Sequence, residues 1–493
     1  MKCIVVFVIL ALLAVPAAAK DRLVVIEEYD PTTLDPIGHD DLPTSRACHE
    51  IYDTLIFVDD SSNVTPGLAE KWEYLSPTEL KFYLRKGVKF HNGDEMKASD
   101  VRFSFLRATT EEGAKIRNYA QNVKDVKVLD DYTVVMELKD QDSYFFASLA
   151  HGWASVTSEK AVKAAGDSYG MHPVGTGPFK FVSWQKGHKY VLERFDDFWG
   201  PKPKYKYLEV RAVPEPTSRT IALETGEADL VYPIPPNDVK RVSENKDLVL
   251  IRYPSNTVIY MGFNMTKPPL TDIRVRHAIS AAIDVVAIQA AVFRGIGSAP
   301  TTITPPGIRY SLNDKLLPHK QDVELAKKLL AEAGVKDLKL EIWSNENKQR
   351  VDCATIVQAQ LEEIGIKSEI RVLEWGTYLN GLMEKKHDLF FLGTIAQVAH
   401  PNQPISNLLE STSGGGNYTF TRDAKIDELL HKGRATPIDE AGEIYVELQE
   451  YINELTPMIY FQVNEFIGGA QKNVKGFDPR ATGFNSYRKV YFE

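Results

Sequence analysis

The stretch Gly67–Arg107, GLAEKWEYLSPTELKFYLRKGVKFHNGDEMKASDVRFSFLR, decides how this chain is read. Leu80, Phe82 and Leu84 alternate with Lys81, Tyr83 and Arg85, the period of two that marks a half-buried strand. Asn92-Gly93 supplies a tight reversal, because glycine tolerates positive φ. Ser99 and Asp100 offer capping oxygens ahead of Val101, Ser104, Phe105 and Ala108, which recur at helical spacing. The physical reading is strand, turn, helix.

The same string carries a second message. Its A-E-x-W opening (Ala69–Trp72), L-R-x-G-V-x-F-H-x-G centre (Leu84–Gly93) and A-x-D-V-x-F-S close (Ala98–Ser104) stand in order. In this it resembles the large extracellular solute-binding proteins of family 5, which serve peptide, nickel and related ABC importers. Further resemblances are the L-D-P end of the first-strand loop at Leu34–Pro36, Gly175-Thr176-Gly177-Pro178-Phe179, the W-G of Trp199-Gly200, and P-P-L-x-D-x-R-V-R-x-A from Pro268 to Ala278.

Working outward, 493 residues suffice for two or three domains with sizeable cores. A hydrophobic share of 43% with 25% charged residues is that of a soluble globular protein. The formal charge of −9 argues against nucleic acid, which needs a basic face, and does not identify a ligand. Residues 1–19 read as a cleavable signal peptide: Lys2, an apolar run from Ile4 to Val15, and Ala17-Ala18-Ala19 as the cleavage site. A retained anchor is the alternative, opposed by the shortness of that run. Cys3 leaves with the signal. Cys48 and Cys353 then remain as buried, unpaired thiols or as a disulfide whose geometry sequence cannot test.

Strands are expected at Leu23–Ile26, in a hairpin over Val126–Leu138, and at Ala228–Val231. Helices are expected at His49–Ile56, at Thr217–Thr225 (stopped by Gly226) and after Asp272 as cap. From Gln321 helices alternate with strands: a helix through Val323, Ala326, Leu329, Leu330 and Ala333, then strand Leu338–Trp343, helix Arg350–Ile364, strand Lys367–Leu373, helix Trp375–Met383 and strand Asp388–Leu392. Such alternation implies crossover connections and a mostly parallel sheet. Its ligands sit off the carboxyl ends of the strands, at the loops after Trp343, Leu373 and Leu392.

Those loops hold the candidate ligand residues. Trp375 is either the floor of an apolar pocket or packing between helix and sheet. Arg350 suits a carboxylate through its bidentate guanidinium, or is a solvated surface residue. Tyr29 could close the cavity from the other lobe. The resemblance implies that Trp375 and Tyr378, in E-W-G-x-Y, line the cavity. It also makes Gly393, Thr394, Gln397 and His400 the substrate loop. Peptide-binding relatives place an acid for the peptide ammonium where Gln397 stands, and a second acid where His400 stands. A carboxylate holds a buried ammonium about twice as strongly as a neutral group does, so the usual amine anchor is missing.

Catalytic chemistry has no motif to support it. There is no HExxH, no spaced Cys/His cluster among the eleven histidines, no GxSxG, and Gly175–Pro178 lacks the Gly-Lys-Ser/Thr of a phosphate loop. No metal or cofactor is expected. Ser413–Gly416 reads as a flexible turn. The resemblance implies an α/β type II periplasmic binding protein fold with two hinged lobes and a domain inserted in the first. The expected division is 20–49, 173–262 and 466–493 for lobe I, 50–172 for the insertion, and 263–465 for lobe II. The expected function is a monomeric periplasmic receptor that captures a peptide or peptide-like molecule and delivers it to an ABC permease with its ATPase subunits. A non-peptide cargo (an oligosaccharide, a nickel chelate or another metabolite) and a secreted hydrolase are the competing readings.

Overall fold

Two long strands, Leu248–Phe263 and Met458–Gln471, run antiparallel through the middle of a ten-stranded sheet and tie its two halves together. The computed structural model describes residues 20–39, 41–58, 64–313, 315–316, 320–413 and 416–493. The expected signal segment and the centre of the expected turn at Ser413–Gly416 lie outside the described residues. On one side of the long pair the order is Leu389–Ile395, Lys339–Asn345, Lys367–Leu373; on the other it is Leu230–Val231, Arg22–Glu27, Tyr207–Ala212, Lys189–Arg194, Phe179–Gln185.

The sheet is mixed rather than mostly parallel. Lys339–Asn345 pairs parallel with both its neighbours, because the helices Lys348–Glu363 and Trp375–Met383 are the crossovers. The long strands add antiparallel pairings on both flanks. Near Pro254–Val258 the register between them shifts, and Asn256 serves both halves: its N–H donates to Ala481 O (2.8 Å) and its carbonyl accepts from Ala396 N (3.0 Å).

Five cores pack the described residues, four of them against this sheet. Ile259, Met261, Ile342, Val357 and Phe391 fill one face of the second half; Tyr260, Trp343, Phe390 and Tyr445 fill the other. Leu23, Val25, Leu192, Leu208 and Tyr487 and, opposite, Val24, Ile26, Leu223 and Val242 cover the two faces of the first half. The fifth core is built on the smaller sheet Ala69–Ser76, Glu79–Leu84, Thr133–Leu138, Val123–Asp130, where Phe82, Phe90, Phe105 and Trp153 meet. Val162 and Tyr169 pack into the first-half core although they precede residue 173. The tail returns there too, Gly469 pairing with Val231.

Local chemistry explains the elements. Ala98–Ala108 buries Val101, Ser104, Phe105 and Ala108 as its spacing requires, but the cap position is Lys97, whose N–H donates to Asp100 Oδ2 at 3.0 Å; Ser99 lies inside the first turn. The helix expected at His49–Ile56 is displaced: it runs Leu42–Ile51, started by Asp41, which accepts from Thr44 N at 2.9 Å, with Pro43 in its first turn. Asp272 caps Ile273–Ala282 as expected. Arg276 on that helix is buried, forms no ion pair among the described residues, and donates to the carbonyls of Leu270 (2.9 Å), Leu455 and Thr456 (3.1 Å). Cys48 and Cys353 are free, buried thiols in different cores. Among the described residues no single helix is long and apolar enough to cross a membrane.

Candidate functional site

Arg350 lies in the first turn of Lys348–Glu363, immediately past the carboxyl end of Lys339–Asn345. Asn347 caps the helix by accepting from Arg350 N at 3.1 Å, and Asn345 Oδ1 accepts from the Arg350 Nη1 at 2.9 Å. The Nε is buried with no hydrogen-bond partner, and among the described residues no acid forms an ion pair with the guanidinium. Burial pulls its pKa down, opposed by Tyr378, Tyr260, Tyr29 and Glu28. A guanidinium stays protonated in proteins, so this is a partly buried cation on which Glu28 acts electrostatically without forming an ion pair. Gly393, on the neighbouring strand, makes room for it: a Cβ there would stand 3.1 Å from Arg350 Nη2.

Aromatic groups surround this cation. Tyr260, on the long strand, has a buried hydroxyl with no partner. Tyr378 is fully buried and donates to Phe391 O at 2.6 Å, so it forms the wall behind the cleft and does not offer its hydroxyl to a guest. Trp375, one turn earlier, is 45% exposed with its ring 6.1 Å from that of Tyr378. From the other half comes Tyr29, 58% exposed, its pKa pushed up to about 12 by partial burial of the hydroxyl and by Glu28, while Arg350 and Arg219 pull it down.

The strand Leu389–Ile395 carries Gly393 and Thr394 and leads to Gln397. Gln397 follows Gly393 by four residues, at most about 14 Å along the chain, and is partly exposed. There it meets the inserted domain. Trp153 N–H donates to His151 Nδ1 at 3.2 Å, which places the ring proton on Nε2, and that N–H donates to Gln397 Oε1. Tyr119 stacks on His151 at 4.8 Å and Phe484 meets its edge-on face at 5.0 Å. Burial lowers the His151 pKa to about 4 and, with Arg488 nearby, that of His49 to about 3.

His400 departs from the expected ligand contact. It is 2% exposed, lies between the rings of Tyr144 and Tyr445, and accepts from Asn402 N at 3.2 Å. It belongs to a dock between the halves. Val398 enters the core of the inserted domain, Gln403 Nε2 donates to Tyr119 Oη at 3.0 Å, and Ser143 Oγ donates to Arg434 O at 3.1 Å. Sequence reasoning missed Asn345, Tyr260 and His151. Asn345 could have been found as the polar end of its strand; Tyr260 and His151 carry no local signal, because distant segments bring them in. Two surface depressions of about 560 and 370 Å³ share no residue with this set.

The dipeptide-binding protein of Escherichia coli (strain K12) is 30% identical over 480 residues, covering 90% of this chain and 89% of that one. The glutathione-binding protein GsiB of Salmonella choleraesuis (strain SC-B67) is 29% identical, covering 94% and 93%. The periplasmic binding protein DppA of Helicobacter pylori, solved in complex with peptide STSA, superposes with a TM-score of 0.87 at 28% identity, covering 96% and 98%. These neighbours share the type II periplasmic binding protein fold of two hinged lobes, and such proteins bind substrates outside the cytoplasm. With residues 63–416 matched by the model of bacterial extracellular solute-binding proteins, family 5, the chain belongs to that family.

Proposed function

We propose that this protein is a periplasmic receptor of an ABC importer, exported by a cleavable segment over residues 1–19. It captures a peptide-like carboxylate between its lobes and releases it unaltered to a membrane permease coupled to ATPase subunits. The lobes are assigned as 20–49, 173–262 and 466–493 against 263–465, with 50–172 inserted in the first. The observation that carries the reading is the Arg350 guanidinium, partly buried beside Asn345 and Gly393, with its Nε unbonded and no acid in ion-pair contact among the described residues. A guest carboxylate would supply both the missing charge and two acceptors in the planar geometry a guanidinium prefers. Trp375 offers an exposed ring for the guest's side chain. Tyr29 reaches the same charge from the other lobe, so ligand contacts on both sides would favour the closed form.

The relatives named for dipeptides and glutathione support cargo of this class. The test is calorimetric titration with a dipeptide library, each member paired with its C-terminal amide. Carboxylate forms should bind at least tenfold more tightly than the amides, and Arg350→Met should erase the difference. Equal affinity for acid and amide would refute the assignment. Recovery of a hydrolysed guest would point to an enzyme instead.

A further inference from the structure

The Gln397 end of the cleft has a donor–acceptor order that the fold leaves no freedom to reverse. The backbone N–H of Trp153 donates to His151 Nδ1, so His151 can only donate from Nε2. Its target is Gln397 Oε1, which directs the amide oxygen toward the inserted domain. Gln397 Nε2 forms no hydrogen bond among the described residues, and the side chain is partly exposed. What the amide can offer a guest is therefore an N–H donor, not an acceptor.

The surroundings reinforce this polarity. His151 is 2% exposed, sealed between the rings of Tyr119 and Phe484, and stays neutral in ordinary buffers. His39 acts on it electrostatically. The charged groups bearing most strongly on adjacent His49 are Arg488 and Arg480, and on His400 it is Arg434. Asp41 and Asp35 act on His39, but Asp35 is bound by Arg107 and Asp41 lies at the helix start before Leu42. Glu28, at the Arg350 end, faces Arg219 as well as Arg350. An ammonium brought to Gln397 Nε2 would meet an N–H donor with no acceptor to pair with it, and burying an unpaired charge is costly.

We propose, building on the carboxylate reading above, that the cleft selects cargo with an uncharged acceptor at the end opposite its carboxylate. The class is the amine-blocked amino acid or short peptide, N-acylated or closed as a lactam, whose carbonyl oxygen accepts from Gln397 Nε2 while its carboxylate meets Arg350. Such a guest satisfies both ends; a free peptide satisfies one.

The experiment uses the full mature protein and a trio of probes: alanyl-phenylalanine, its N-acetyl derivative, and the N-acetyl derivative as C-terminal amide, titrated by calorimetry at pH 7.5. N-acetyl-alanyl-phenylalanine should bind at least tenfold more tightly than the free dipeptide, and blocking its carboxylate should abolish the gain. In Gln397→Asp the order should reverse in favour of the free amine; Gln397→Glu serves as a second variant if the first does not fold. Native protein that prefers the free dipeptide, or shows no preference, overturns the inference and leaves the carboxylate reading standing. If the native protein binds the doubly blocked probe as well as N-acetyl-alanyl-phenylalanine, the carboxylate reading itself falls, and this inference with it.

Discussion

Asp53 shows how much a single side chain holds together. It is 1% exposed, and Arg488 Nη1 (2.8 Å), Trp199 Nε1 (2.8 Å) and Thr176 Oγ1 (3.2 Å) all donate to it. Arg85 lies 4.6 Å from the Trp199 ring centre, so pieces of three separate motifs and the C-terminal tail converge on one carboxylate. Removing one partner of a buried ion pair strands the other, at about 3–5 kcal/mol. Asp53→Ala should therefore lower urea-unfolding stability by about 3 kcal/mol; a loss under 1 kcal/mol would show that water replaces the acid. Trp375 is the opposite case. Its half-exposed ring contributes little to folding, so Trp375→Ala should leave the melting temperature within a few degrees while weakening cargo binding several-fold. Unchanged affinity would remove it from the site. Arg350 and Trp375 were legible because each follows the end of a predicted strand; His151 was not, since its meeting with Gln397 depends on two domains docking.

Elements with strong local signals were placed within a residue or two. Lys367–Leu373 and Trp375–Met383 stand as read, and the hairpin pairs Val126 with Met136 and Val128 with Val134. The helix Leu42–Ile51 starts ahead of the apolar run at His49–Ile56 because the Asp41 cap and Pro43 fix its first turn. Gly175-Thr176-Gly177 owes its glycines to packing. A Cβ on Gly175 would stand 2.1 Å from Ile51 O, and one on Gly177 would stand 2.6 Å from Ile51 C, both backbone atoms at the end of that helix. Overpacking of this kind costs about 1–3 kcal/mol. Gly177→Ala is expected to fall in that range by chemical denaturation; a neutral result would mean that the helix end shifts freely.

Across the molecule, the buried histidines make stability depend on pH. His49, His151 and His400 have folded pKa values of about 3, 4 and 3 against 6.5 in the open chain, lowered first by burial. Below pH 6.5 the unfolded chain takes up protons that the folded one refuses. Stability is thus full above that point and is lost as pH falls toward 4. One such group costs about 2 kcal/mol at pH 5. The urea midpoint should drop between pH 7.5 and 5.0, and His400→Phe should make the drop shallower; a flat profile would mean these rings titrate normally. Cargo works in the other direction: at a hundred times its dissociation constant a ligand adds about 2.7 kcal/mol.

Periodicity, caps and motif order, all properties of neighbours along the chain, were enough to point to the family and to most elements. The mixed sheet was beyond their reach, because the pairing of Leu248–Phe263 with Met458–Gln471 joins segments about two hundred residues apart. So was the state of the cleft. That Arg350 has no ion-pair partner among the described residues, and that Gln397 turns its oxygen to His151, are facts of what approaches in space, and no spacing along the chain encodes them.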